Sequence, residues 1–65
     1  MLKKEIERIM AKLGYEFDSE DSYGLVYRRL IDDEFKLYEF IGFNLNLNDG
    51  YTYQHCSKIE RVRND

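Results

Sequence analysis

The chain contains no proline, no tryptophan, one cysteine and one histidine. Cys56 has no internal partner, so no disulfide can staple a chain this short. A lone cysteine fits a reducing, cytoplasmic setting. A zinc site needs about four ligands at compatible spacing. His55 and Cys56 are adjacent, so in a strand they project to opposite faces. Neither a metal nor a cofactor is expected, and no thiol nucleophile. No apolar run exceeds a few residues, which excludes a transmembrane helix. The opening MLKKEIERIM is charged throughout and lacks the apolar region of a secretory leader. Charge of one sign is also scarce: ten Lys and Arg against thirteen Asp and Glu leave a net charge of −3. That balance is too mild for a nucleic-acid mimic and has the wrong sign for a generic phosphate binder.

What remains is a single small domain of 65 residues with an excess of rings, six Tyr and four Phe. A chain of this length buries only about 60% of the surface its unfolded form exposes. Its core supplies about 3–5 kcal/mol of net stability.

Leu2, Ile6, Ile9, Met10 and Leu13 form one stripe at helical spacing, which predicts a helix over about 2–13. Gly14 follows, where a left-handed glycine ends a helix. The period then changes. Tyr15 and Phe17 alternate with Glu16 and Asp18, predicting a strand over 15–18 and an acidic turn over 19–22. LVYRRLI is rich in β-formers and predicts a strand over 23–31. After Asp32-Asp33-Glu34, FKLYEFIGFNLNL reads as one long strand over 35–47, bent near Gly42. In an unbroken phase Phe35, Leu37, Ile41, Phe43, Leu45 and Leu47 face the core, with Glu39 the exception. A bulge at Gly42 would instead bring Tyr38 and Phe40 to that face. A helix over 33–41 is a further alternative, because Phe35, Tyr38 and Ile41 also fit a three-residue spacing.

Register fixes the role of the asparagines in FNLNLNDGYTY. A three-residue loop at Asn48-Asp49-Gly50 pairs Leu47 with Tyr51, Leu45 with Tyr53 and Phe43 with His55. Gly50 then takes the left-handed position of a bulged turn, and a last strand covers 51–56. Asn44 and Asn46 face Gln54 and Thr52 on the side away from the core. In the tail, 57–65, Ser57 and Glu60 have capping-box spacing, and Ile59 and Val62 would anchor one helical turn; fraying is the alternative.

The fold class expected is α+β. An N-terminal helix packs on one face of a three- to four-stranded antiparallel meander, in the order α-β-β-β-β. The two acidic clusters, Asp18/Glu20/Asp21 and Asp32/Asp33/Glu34, fall at opposite ends of the second strand. They do not converge as a carboxylate pair or cation site would require, and no enzyme is expected. One helix covers one sheet face. The other then carries Val26, Arg28, Tyr38, Phe40, Asn44, Asn46, Thr52 and Gln54. Rings and an arginine framed by amides are what protein interfaces are enriched in. The occupant expected is an unidentified protein, with a second copy of the chain or the tail as alternatives. Nucleic acid is the other reading, through Arg28, Arg29, Lys58, Arg61 and Arg63. Consecutive arginines in a strand point to opposite faces, which divides that set.

The order helix, LGYEF, acidic turn, LVYRR resembles the start of the HicA-type mRNA interferase toxins, over about the first thirty residues. That family's catalytic histidine would fall near Tyr23-Gly24. No histidine stands there, so ribonuclease activity is not carried over. The whole-chain layout is similar to short α+β proteins of phages and mobile elements, among them anti-CRISPR inhibitors with one helix against a meander. That resemblance implies a stoichiometric binder of a host protein.

Overall fold

The structure is a computed structural model that describes the backbone of residues 1–48 and 50–61 and the side chains of 1–48 and 50–54. Helix α1 spans Lys3–Leu13 and is followed by strands β1 Glu16–Glu20, β2 Gly24–Asp32, β3 Leu37–Asn46 and β4 Gly50–Arg61. The strands form one antiparallel sheet in the order β1-β2-β3-β4. This is the expected α-β-β-β-β layout.

Both ends of α1 are set by the local sequence. The Glu5 carboxylate accepts from the Leu2 N–H at 3.0 Å, satisfying a donor that the first turn leaves free. At the other end Gly14 has φ 86°, its N–H bonds to Ala11 O, and the Tyr15 N–H bonds to Met10 O at 2.8 Å. That pair of bonds is a Schellman closure. It also turns the chain so that Tyr15 packs back against the cluster containing Met10.

The core is small: Ile6 and Met10 from the helix press on Leu25, Tyr27 and Phe43, with Tyr15, Ile41 and Tyr51 packed around them. The helical stripe is only half used. Ile9 and Leu13 remain exposed, because the helix touches the sheet along one line rather than along its whole apolar arc. Phe17 and Tyr53, on the helix side, are 51% and 53% exposed. An eleven-residue helix is about 16 Å long, too short and narrow to roof four strands.

β3 keeps an unbroken phase against β2, with Leu25 opposite Phe43, Val26 opposite Gly42, Tyr27 opposite Ile41 and Arg28 opposite Phe40. Phe43 therefore faces the helix, and Tyr38 and Phe40 face away from it. The irregularity near Gly42 lies on the other flank of β3. Phe40 pairs with Lys58 and Gly42 with Gln54, so three β4 residues oppose Ile41 alone.

Several expectations are corrected. The hairpin register is two residues away from the expected one: Leu45 pairs with Tyr51, Phe43 with Tyr53 and Asn44 with Thr52, closing at Asn46–Gly50. A slip of two leaves every residue on its assigned face, since the side-chain period is two. It also sets the Phe43 and Tyr53 rings edge-on at 5.8 Å, a contact that pairing Phe43 with His55 would lack. Asn46 closes the turn, its side chain accepting from the Asn48 N–H at 2.9 Å, and Leu47 is 99% exposed instead of in the core. Gly50 does take the left-handed conformation, with φ 72°. The third strand starts at Leu37, not Phe35; residues 33–36 turn, with Lys36 at φ 54°, which leaves Phe35 exposed and excludes a helix over 33–41. The last strand runs on to Arg61, where a helical turn or frayed end was expected. Extended pairing with β3 satisfies its backbone more completely than one isolated helical turn. Val62 lies outside the described residues.

Gly24 lies tight against the β3 backbone: a Cβ there would fall 1.9 Å from Phe43 O. At Gly14 a Cβ would meet nothing within 4 Å, and only the positive φ resists substitution. Gly14→Ala is therefore expected to cost about 1 kcal/mol and lower Tm by about 4–8 °C. Gly24→Ala, which must displace backbone, should cost about 3 kcal/mol or more. Thermal melts of the two variants check the order; equal losses would show that the close approach is absent.

Candidate functional site

The sheet face away from the helix is assembled by register. Glu16, Arg28, Phe40 and Lys58 form one row across the four strands; Ser19, Val26, Gly42 and Gln54 form the next. Leu30 and Tyr38 lie at one end, and Asn44 and Thr52 at the other. Seven of the eight residues expected on this face thus share it: Val26, Arg28, Tyr38, Phe40, Asn44, Thr52 and Gln54. Asn46 stands at its margin, where it is used by the turn.

Arg28 organises the aromatic end. Its Nε donates to Glu16 Oε1 at 2.8 Å, a second nitrogen lies 3.5 Å from Asp18, and its guanidinium sits 5.0 Å from the Tyr38 ring centre. Tyr38 and Phe40 are 6.4 Å apart and tilted by 43°. Both rings, with Val26 and Arg28, are half-buried, while Leu30 is exposed. The rings are neither dry nor fully in water; lateral packing within the face hides their edges. The amide end is polar and open, with Asn44, Thr52 and Gln54 exposed and the Thr52 hydroxyl 3.4 Å from Asn44 O. Between the ends, Gly24 and Gly42 lack side chains, and a depression of about 210 Å³ opens there, reaching Ser19, Val26, Asn44 and Gln54.

Glu16 and Asp18 were not among the residues expected here. Their signal was present, since both alternate with Tyr15 and Phe17, and Glu16 stands directly opposite Arg28 once β1 pairs with β2. Leu30 likewise shares parity with Val26 and Arg28.

The nucleic-acid set is divided. Arg29 projects to the helix side, where one nitrogen lies 2.8 Å from Glu39 Oε1 and the guanidinium is 4.8 Å from the Tyr15 ring centre. Lys58 and Arg61 lie in β4, but their side chains, and all of Arg63, are outside the described residues, as are the His55 and Cys56 side chains. Of the acidic clusters, Asp21, Asp32 and Asp33 serve the turns, while Asp18 and Glu20 lie in β1 and pair with Arg28 and Lys3. Asp21 Oδ1 accepts from the Tyr23 and Gly24 N–H groups at 2.8 and 3.1 Å, and Asp32 Oδ1 from those of Glu34 and Phe35 at 2.9 and 3.3 Å. Asp33 pairs with Lys36 at 2.7 Å, which lowers the Asp33 carboxyl and raises the Lys36 ammonium from their ordinary values. Among the described residues no group of three or more His, Cys, Asp or Glu is placed to hold a metal ion. No helix is long and apolar enough to cross a membrane among those residues. Comparison with protein families, curated proteins and solved structures finds no match to this chain.

Glu39, opposite Arg29, explains why a carboxylate is tolerated on the helix side. The Tyr15 hydroxyl donates to Glu39 Oε1 at 2.5 Å. That hydrogen bond, then burial, lifts Tyr15 above its ordinary 10.0, and burial lifts Tyr27. A raised folded-state pKa contributes stability that is complete below the unfolded value and is lost as pH climbs through the folded one. Melting temperature should therefore fall above about pH 10. Tyr15→Phe should show a smaller alkaline loss than the parent chain in melts at about pH 8 and about pH 11; an equal loss would remove Tyr15 from the account.

Proposed function

We propose that the chain is a non-enzymatic protein-binding module whose contact surface is the sheet face away from the helix, acting as an inhibitor or regulator of a host protein. The observation that carries this reading is the cluster of Tyr38, Phe40 and Arg28, half-buried on a face that no other described element covers. Aromatic and arginine side chains held rigid before contact lose little entropy on binding and are the residues on which interface energy concentrates. Arg28 is already oriented by Glu16 and Asp18, so its exposed edge is presented in one geometry. The amides of Asn44 and Gln54 supply a polar margin, the arrangement in which a hydrophobic centre is ringed by wetter contacts.

Nucleic-acid binding is the weaker reading. Phosphate recognition needs uncommitted cations on one surface. Arg28 and Arg29 face opposite ways and each is paired with a carboxylate.

The test is a double variant, Tyr38→Ala with Phe40→Ala, compared with the parent chain by affinity capture from the native cell and mass spectrometry. The fold is monitored by circular dichroism. Loss of a specific captured protein, with about a hundredfold weaker binding and an intact fold, is the expected result. Unchanged capture would place the contact elsewhere. Capture of single-stranded RNA or DNA that weakens steeply with salt would move the assignment to the nucleic-acid reading.

A further inference from the structure

On the opposite side of the sheet, a groove of about 490 Å³ runs between α1 and β1, lined by Lys3, Glu7, Tyr15, Phe17, Glu20 and Tyr27. Its floor is aromatic. The Phe17 and Tyr27 rings meet edge-on, 5.8 Å apart and at 81°, and Phe17 is half exposed. Its rim is charged, with two carboxylates against one ammonium. Lys3 Nζ is committed to Glu20, 3.0 and 3.2 Å from its two oxygens, and this contact raises Lys3 above its ordinary value. Glu7 has no ion pair within 4 Å among the described residues, leaving the rim with one unneutralised negative charge.

The floor also holds an unanswered polar group. Tyr27 is only 5% exposed, yet its hydroxyl makes no hydrogen bond, and its oxygen is not sealed from solvent. What exposure remains opens into the groove that the residue lines. Its electrostatic neighbours are Glu7, Lys3 and Glu20, all on that rim. An occupant therefore meets acceptors from Glu7 and Tyr27 beside the exposed ring of Phe17.

The chain completes this combination of ring and carboxylate twice elsewhere, each time with arginine. Arg28 lies on Tyr38 beside Glu16, and Arg29 lies on Tyr15 beside Glu39. In the groove the rings and the carboxylate are present and the guanidinium is missing. A planar guanidinium stacks on an aromatic face while its edge serves oxygen acceptors, which an ammonium does less well. We infer that the groove between α1 and β1 is a binding site for an arginine side chain presented by a partner protein, its guanidinium over the exposed Phe17 ring and its edge on Glu7 and the Tyr27 hydroxyl. The site is separate from the bare sheet face, and it stands or falls independently of the function proposed above.

The probe is N-acetyl-arginine methylamide, titrated at low ionic strength into the whole chain labelled with nitrogen-15. Saturable amide shifts confined to 3–11, 15–20 and the neighbourhood of Tyr27 are expected, with a dissociation constant of millimolar order. The uncharged citrulline analogue should bind about tenfold more weakly. Glu7→Gln, on the exposed surface of the helix, should weaken binding about fivefold. Tyr27→Phe, which keeps the ring, should weaken it about threefold. Glu34→Gln, in a distant turn, should change nothing. Citrulline or the lysine analogue binding equally well, Glu7→Gln binding unchanged, shifts that never saturate, or shifts mapping to Tyr38 and Phe40 would each overturn the inference. If Tyr27→Phe fails to fold, Glu7→Gln decides alone.

Discussion

The contact of Ile6 and Met10 with Leu25, Tyr27 and Phe43 is the constraint on which the rest of the molecule depends. It is the meeting of one helix with the middle of a four-stranded sheet, and it uses two turns of a three-turn helix. The single cysteine allows no internal disulfide, and among the described residues no second helix reinforces it. Because side chains alternate along each strand, this one contact decides the orientation of the whole sheet. Fixing Leu25 and Tyr27 beneath the helix sends Val26 and Arg28 to the other side, and pairing carries that choice to Phe40 and Gln54. The bare face is thus a consequence of the core rather than a separate feature. Its composition, however, is not dictated by the core: solvated positions on a sheet do not call for Tyr38, Phe40 and Leu30.

The electrostatics follow the same partition. Arg28 and Arg29 are neighbours in β2, and the alternation places one on each face, each with a ring and a carboxylate supplied by the flanking strands. Each pair is partly exposed, so its contribution to stability is small, about 0–1 kcal/mol. What such pairs do is fix the direction of long side chains. That is why Arg28 presents a defined edge to solvent and why Glu39 can sit on the helix side, accepting from Tyr15 and Arg29 together.

Helix position, strand order and the allocation of faces were legible in the sequence because each rests on local periodicity. Leu2 to Leu13 carries the helical period, Gly14 its stop, and the odd and even residues of β3 their separate fates. What was not legible depends on closure between distant segments. The hairpin offered two registers two residues apart that give the same faces; the choice rests on the Asn46 turn and on the meeting of Phe43 with Tyr53. The extension of β4 to Arg61 depends on β3 offering an edge, which residues 57–61 do not announce by themselves. Ile9 and Leu13 looked like core on a helical wheel, yet how far a helix sinks its apolar arc is decided by the surface beneath it. Seven of the eight residues expected on the face away from the helix came from parity alone, whereas the Glu16 and Asp18 clamp on Arg28 required knowing which strand lies beside β2.

The edges of the sheet disfavour the addition of a further strand. β1 is five residues long, carries Glu16, Asp18 and Glu20, and has a register shift between Phe17 and Ser19. A short, acidic, bulged edge is a poor template for another strand. β4 is longer, but the N-terminus lies along its start. The Met1 amino group donates to Tyr51 O at 2.7 Å, and the Tyr51 N–H donates to Met1 O at 2.9 Å. Further along, the irregular pairing opposite Ile41 interrupts the even alternation that a docking strand would follow. With both edges modified in these ways, the broad surfaces of the sheet are its two faces: one that no other described element covers, the other only partly covered by α1.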